Sequence, residues 1–139
     1  MTAKEYLGQA YWLDRRIDSK LEQLSALRET TTKATSVMND TPVSHTRNMH
    51  SLQDVIAKII DMENELNHDI DALVDLKKDI KRCIDAVENP EYKTLLELRY
   101  LTFKNWNEIA IIMSYEGRYV YKVHGAALKQ VDQILSEGH

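Results

Sequence analysis

Only four glycines and two prolines interrupt this chain of 139 residues. These two residue types most often punctuate turns and end helices, so a chain with so few of them favours long, uninterrupted helices. A single phenylalanine and an aromatic content of 7% argue against a sheet-rich fold, because strands are enriched in aromatic residues. We therefore predict an all-α protein.

Two long stripes of apolar residues predict the first two helices. Apolar residues recur at spacings of three and four over residues 1–29, from Tyr6 onward, and over residues 51–88, from Leu52 onward. We expect the two helices to pair as a long antiparallel hairpin or coiled coil. Because two single stripes leave apolar surface uncovered, we also expect a homodimer.

The pattern stops over residues 30–50. Clusters such as Thr30-Thr31-Thr32 favour local hydrogen bonds between side chains and backbone over regular structure, so we predict a flexible linker. After the second stripe, Pro90 disfavours helix at Asn89 and is itself well suited to start a helix. A new C-terminal domain is therefore predicted over residues 90–139.

This C-terminal domain is predicted to be a small three-helix bundle, with helices at about 91–101, 106–113 and 117–136. Asn105, with Glu108 three residues later, forms a capping-box pattern at the second of them. A short helix, a turn of three residues and a longer helix make up a helix-turn-helix motif. Spacing places the following residues in its core: Ile109, Ala110, Met113, Val120, Val123, Ala127 and Leu128.

The outer face of the last helix has the chemistry to read DNA. Arg118 and Lys122 lie one turn apart near its N-terminus, the end that enters the major groove, and both side chains match guanine edges. Tyrosine hydroxyls on this helix, and polar residues before the preceding helix, suit phosphate contacts. The predicted DNA contacts are Lys104, Asn105, Arg118, Tyr119, Tyr121, Lys122 and Lys129.

Charge gives mixed support to this prediction. The net charge of −4 counts against nucleic-acid binding, and residues 90–139 hold six basic and six acidic side chains. Between Gly117 and Val131, however, three basic residues occur with no acid. Gly125 is disfavoured by about 1 kcal/mol relative to alanine inside a helix. We interpret it as a point of close packing with another helix, or alternatively of close approach to a phosphate.

Several segments resemble small phage- and prophage-encoded regulators of Gram-positive hosts, related to the ArpU- and RinA-type late-transcription activators. The similar segments are residues 2–7 (TAKEYL), 13–17 (LDRRI), 73–77 (LVDLK), 95–101 (LLELRYL), 106–110 (WNEIA) and 119–125 (YVYKVHG). The resemblance implies an all-helical protein whose C-terminal part is similar to region four of bacterial sigma factors and acts on phage promoters.

On this resemblance Arg118, Tyr119 and Lys122 match the exposed face of the reading helix. The chain departs from the pattern at the turn. Ser114 stands where glycine is usual, and Glu116 and Gly117 stand where a hydroxyl cap and a basic residue are expected. Glu116 also brings a negative charge close to the DNA.

Other classes of protein fit the sequence less well. The lone Cys83 excludes an internal disulfide and a multi-cysteine zinc site, and no apolar run is long enough for a membrane helix. Motifs of catalysis and of phosphate-cradling loops are missing, so we expect no enzyme, no metal and no cofactor, and a location in the bacterial cytoplasm.

The function predicted from the sequence is a sequence-specific, DNA-binding activator of phage or prophage transcription. One alternative is a coiled-coil interaction protein that binds RNA polymerase or another host factor without recognising DNA directly. Another is a sigma-like module that binds promoters only together with polymerase.

Overall fold

The computed structural model of the chain describes residues 1–40 and 45–138, and the side chains of residues 1–35 and 50–138. Over these residues the chain forms α-helices and no strand, so the prediction of an all-α protein is confirmed. The helices are α1 Ala3–Asp40, α2 His45–Asp85, α3 Pro90–Tyr100, α4 Trp106–Ile112 and α5 Tyr119–Gly138.

Both long helices extend into the stretch that the sequence predicts to be a linker. Residues 30–40 belong to α1 and residues 45–50 to α2, so the predicted linker over residues 30–50 is wrong for these residues, and residues 41–44 lie outside the described residues. The hydroxyls of Thr30, Thr31 and Thr32 each donate to the carbonyl four residues earlier. This bond satisfies the hydroxyl inside the helix, so the threonines do not end it.

The chain divides into two compact units. The first unit comprises Met1–Asp14 and Leu73–His139, and the second unit comprises Arg15–Ala72. This division differs from the predicted boundary at residue 90, because Leu7 of α1 and Ile84 of α2 are buried in the same core as the C-terminal helices. The last three helices therefore share their core with the start of α1 and the end of α2.

The core of the first unit is a single cluster of buried side chains from all five helices. The backbone N–H of Ala3 donates to the Asp132 carboxylate at 2.9 Å, which ties the start of α1 to α5. The buried members are Ala3, Leu7, Ala10, Ile80, Ile84, Val87, Leu95, Leu96, Tyr100, Ile109, Val120, Val123, Ala127 and Val131.

Helix α3 begins as its sequence predicts. The Asn89 side chain accepts hydrogen bonds from the backbone N–H groups of Glu91 and Tyr92, at 2.8 and 3.3 Å, and Pro90 occupies the first helical position. Proline has no N–H to leave unsatisfied there, and its fixed φ suits the helix. The cap fixes the residue at which α3 begins, and Leu95 and Leu96 of this helix are buried in the core.

Helices α1 and α2 contact each other along the second unit. Ile17 and Leu24 of α1 and Leu66 of α2 are buried. Lys20 forms an ion pair with Asp69, and Arg28, further along α1, pairs with Glu63, which comes earlier in α2. The order of these two ion pairs shows that α1 and α2 run antiparallel in this unit.

No helix among the described residues combines the length and hydrophobicity that are needed to cross a lipid bilayer.

Two isoleucines of α4 provide a matched test of this core. Ile109 is fully buried, whereas Ile111, two residues later, is 79% exposed. We expect Ile109→Ala to lower the free energy of unfolding by about 2–5 kcal/mol, because it removes buried methyl groups and leaves a cavity. Ile111→Ala is expected to change it by about 0.5 kcal/mol or less. Urea denaturation followed by circular dichroism measures both, and equal losses would contradict this packing.

Candidate nucleic-acid interface

The start of α4 is held by the capping box that the sequence predicts. The Asn105 side-chain oxygen accepts from the Glu108 backbone N–H at 2.8 Å, and the Glu108 carboxylate accepts from the Asn105 N–H at 3.4 Å. The neighbouring Lys104 is half-buried, and its carbonyl accepts from the Arg99 guanidinium. Asn105 therefore uses its oxygen within the helix, and its side-chain NH₂ remains for an external acceptor.

The turn between α4 and α5 contains two left-handed residues. Ser114 has a φ of 58° and Gly117 a φ of 57°. A left-handed φ favours glycine, which explains why glycine would be usual at position 114. The turn is also tied to α3, because the Tyr115 hydroxyl donates to the Glu91 carboxylate at 3.0 Å. Burial and this hydrogen bond raise the pKa of the Tyr115 hydroxyl.

Helix α5 begins at Tyr119, two residues later than predicted. The positive φ of Gly117 is incompatible with a right-handed helix, so the chain enters the helix only after it. Arg118 consequently lies immediately before the first residue of α5. Its backbone carbonyl accepts from the N–H of Tyr121, and its side chain is exposed.

The two sides of α5 differ as the sequence predicts. Val120, Val123 and Ala127 are buried against the core, and Leu128 is partly buried beside it. On the opposite side Arg118, Lys122 and Lys129 are all exposed. With a helical repeat of 3.6 residues, Lys122 and Lys129 point within about 20° of one another around the helix axis, and Arg118 lies four residues before Lys122, in the turn that leads into the helix. We call these three cations the basic face of α5.

Gly125 lies on the same side of α5 as the basic face. It is exposed, and a Cβ placed there would have no atom within 4 Å. The interpretation that Gly125 allows close packing against another helix of this chain is therefore wrong for the described residues. Because Gly125 has no side chain, the helix backbone is uncovered at this position between Lys122 and Lys129.

The two predicted tyrosine contacts are exposed on one side and packed on the other. Tyr119 is 47% exposed and packs edge-to-face on Tyr115, with ring centroids 5.0 Å apart. Tyr121 is 51% exposed and packs against Trp106 of α4 at 5.6 Å. Each ring is therefore held in place by an aromatic contact on one side and is exposed to solvent on the other.

The structure brings only some of the predicted contacts together. Arg118, Lys122 and Lys129 share the basic face, with the two tyrosines flanking it. Lys104 and Asn105 lie at the start of α4. Within the part of the chain that the structure describes, no hydrogen bond or ion pair links those two residues to the side chains of α5.

Sequence reasoning missed a buried polar pair behind α5. The Tyr100 hydroxyl and His124 Nε2 share a hydrogen bond of 2.6 Å, and Trp106 packs on the imidazole with centroids 4.5 Å apart. Burial, with the positive charges of Lys4 and Arg99, lowers the pKa of His124 to about 4, and burial raises the pKa of Tyr100 to about 12. The spacing of His124 from Val120 and Ala127 indicates a buried position, but no local pattern points to Tyr100.

A cleft in the first unit was also missed. It has a volume of about 750 Å³, and Trp12 at its edge is 69% exposed. The Arg99 guanidinium lies over the Trp106 ring, 4.3 Å from its centroid, which fixes a cation in the cleft wall. Phe103, another lining residue, has a φ of 58°, a strained value for a bulky side chain. The cleft therefore combines aromatic surface with an immobilised positive charge.

A family model described as "Protein of unknown function (DUF1492)" matches residues 33–132, which is most of the chain. The match contains all of α2, α3 and α4 and most of α5. No curated protein and no solved structure matches the chain.

The Tyr100–His124 pair predicts a specific pH dependence of stability. The pKa of His124 is about 4 in the folded chain and about 6.5 in the unfolded chain. Above pH 6.5 the imidazole is neutral in both states, so the contribution of the buried, neutral His124 to the free energy of unfolding is fully present. As the pH falls from 6.5 to 4, only the unfolded chain takes up the proton, and we expect a loss of about 3 kcal/mol from this group. Urea denaturation of the wild type and of His124→Gln across this range measures it.

The difference in unfolding free energy between the wild type and His124→Gln should shrink as the pH falls. His68→Gln is the matched control, because His68 is exposed on α2, and its profile should follow that of the wild type. A difference that stays constant from pH 7 to pH 4 would contradict a buried, neutral His124.

Proposed function

The chain belongs to the DUF1492 family of proteins of unknown function, and from the geometry of α5 we propose that it is a sequence-specific, DNA-binding regulator of transcription. Helix α5 is the reading helix and enters the major groove. The observation that supports this most is the basic face, on which three exposed cations lie opposite a buried apolar side.

The proposed roles follow from position along the helix. Arg118 and Lys122 lie at the N-terminal end, where reading helices contact base edges, and both reach the O6 and N7 acceptors of guanine. Lys129 lies about 10 Å beyond Lys122 along the helix, at a rise of 1.5 Å per residue, and contacts a phosphate. Tyr119 and Tyr121 donate their hydroxyls to phosphates or sugars.

Helix α4 lies across the backbone in this proposal. The Lys104 ammonium and the Asn105 side-chain NH₂ contact phosphates at its start, which positions the protein without reading sequence. The bare backbone at Gly125 supports the same arrangement, because it lets the edge of the groove approach α5 more closely than a side chain would allow.

The resemblance to ArpU- and RinA-type regulators supports phage or prophage promoters as the target and activation as the outcome. In that proposal the protein acts in the bacterial cytoplasm, and RNA polymerase is a second partner. The basic face holds only three cations, and Glu116 lies next to it in the turn, so a single copy is expected to bind DNA weakly. A homodimer would double the contacts.

A second candidate function is an interaction protein that binds RNA polymerase or another host factor without reading DNA. The cleft beside Trp12 favours it, because an aromatic side chain that is 69% exposed is typical of a protein-binding hot spot. This candidate predicts that Trp12→Ala abolishes polymerase binding while the basic face is dispensable. The DNA-reading proposal predicts the reverse for binding to DNA.

The basic face is tested by Arg118→Ala combined with Lys122→Ala. At about 1–3 kcal/mol per base contact, the double variant is expected to bind a duplex selected from host or phage genomic fragments about 2–6 kcal/mol more weakly. Fluorescence anisotropy with a labelled duplex measures the affinity. Lys33→Ala combined with Lys58→Ala removes two exposed cations of the second unit and is the matched control. Equal affinities of all three proteins would overturn the assignment.

The role of Lys129 is tested through the salt dependence of binding. Because each neutralised phosphate releases counterions, the logarithm of the affinity falls linearly with the logarithm of the salt concentration, by about 0.9 per phosphate. Lys129→Ala should reduce this slope by about 1 and weaken binding to all sequences alike. An unchanged slope would show that Lys129 makes no phosphate contact.

A further inference from the structure

The second unit exposes large aliphatic side chains along one side. Leu21 of α1 and Ile56, Ile60 and Ile70 of α2 are between 41% and 54% exposed. Single exposed aliphatic residues are common on soluble proteins, whereas a continuous row of them marks an interaction surface. Whether these four residues form an interaction surface therefore depends on whether they lie in a continuous row.

The α2 residues follow a heptad pattern that is separate from the buried stripe. Ile56, Ile60, Glu63, Asn67 and Ile70 are spaced by four, three, four and three residues. This is the spacing of the two core positions of a coiled coil, and it repeats every 3.5 residues on one side of the helix. These side chains are exposed or half-exposed, whereas Leu66 of the other stripe is 3% exposed.

An ion pair places Leu21 on the same side. Arg28 and Glu63 join α1 and α2 at 3.4 Å. Leu21 lies seven residues before Arg28, which is two helical turns, and Ile56 and Ile70 lie two turns before and after Glu63. Leu21 and the α2 residues therefore border the same edge of the helix pair. We call Leu21, Ile56, Ile60, Asn67 and Ile70 the second seam.

The second seam is electrically neutral, although the unit around it is acidic. Residues 15–72 contain seven Lys/Arg and ten Asp/Glu. Glu63, the charged residue at a core position of the heptad pattern, forms an ion pair with Arg28 of the same copy, so its charge is balanced where two copies meet. Two identical seams can therefore approach without net repulsion, which an acidic surface would not allow.

We propose that a second copy of this chain covers the second seam, with the two α2 helices side by side, parallel and in register. Asn67 supports this occupant over an unrelated apolar one. A polar side chain at a heptad core position needs a polar partner, and a parallel in-register copy supplies Asn67 at the same level. A two-fold interface is self-complementary in this way, and each isoleucine then meets its own counterpart.

This interface does not rest on the proposed DNA-binding function. A dimer that fails to bind DNA would remove only the DNA-reading proposal, and a DNA-binding monomer would remove only this one. Where both hold, the dimer carries two basic faces.

Sedimentation of the full chain tests the proposal. We expect the wild type to sediment as a dimer at micromolar concentration and Ile60→Glu as a monomer with an unchanged helical circular dichroism spectrum. Lys58→Glu, an exposed position of α2 outside the second seam, is the control and should remain dimeric. A monomeric wild type, or a dimeric Ile60→Glu, would overturn the proposal.

Disulfide trapping tests the register. In a Cys83→Ser background, Asn67→Cys is expected to form a covalent dimer under mild oxidation. His68→Cys is the matched control, because this exposed neighbour points about 100° away around the helix and should not cross-link. Cross-linking through position 68 rather than 67, or through neither, would overturn the parallel in-register arrangement.

Discussion

Burial of one side of α5 is the interaction on which the rest of the structure depends. Val120, Val123 and Ala127 lie in the same core as Leu95 and Leu96 of α3, and this contact decides which side of α5 faces outward. With 3.6 residues per turn, the opposite side is then fixed to the cations and the exposed glycine. Rotating α5 by even one residue would bring a charged side chain into the core, where an unpaired charge is strongly disfavoured.

What the sequence predicts well is local. The Asn105 cap and the buried position of Val120 depend on spacings of three and four residues, which a helix imposes on any chain. Two features escape such reasoning. Thr31 favours irregular structure by propensity, yet its hydroxyl is satisfied by a carbonyl of its own helix. Tyr100 and His124 meet across 24 residues, and only the packing of α3 on α5 brings them together. The basic face follows from spacing, whereas the cleft depends on tertiary packing.

The charge distribution connects the two proposals. The three cations of the basic face supply little attraction to a polyanion, and the chain as a whole has a net charge of −4. A monomer with so few phosphate contacts would bind weakly and detach readily as salt rises. Under the two proposals a dimer paired through the second seam carries two basic faces, and a duplex that engaged both would be bound more tightly without any new contact within one copy. In that case the long helices would contribute to DNA binding indirectly, by holding two copies together.

Selection of duplexes from a random-sequence library by the full chain tests most directly whether α5 reads DNA. The wild type is expected to enrich a short, defined motif. With Arg118→Ala the same selection should return that motif with the preference for one guanine lost, because the arginine that forks onto that base is gone. If the wild type enriches no motif, or if the two proteins return the same one, α5 does not read DNA through this face.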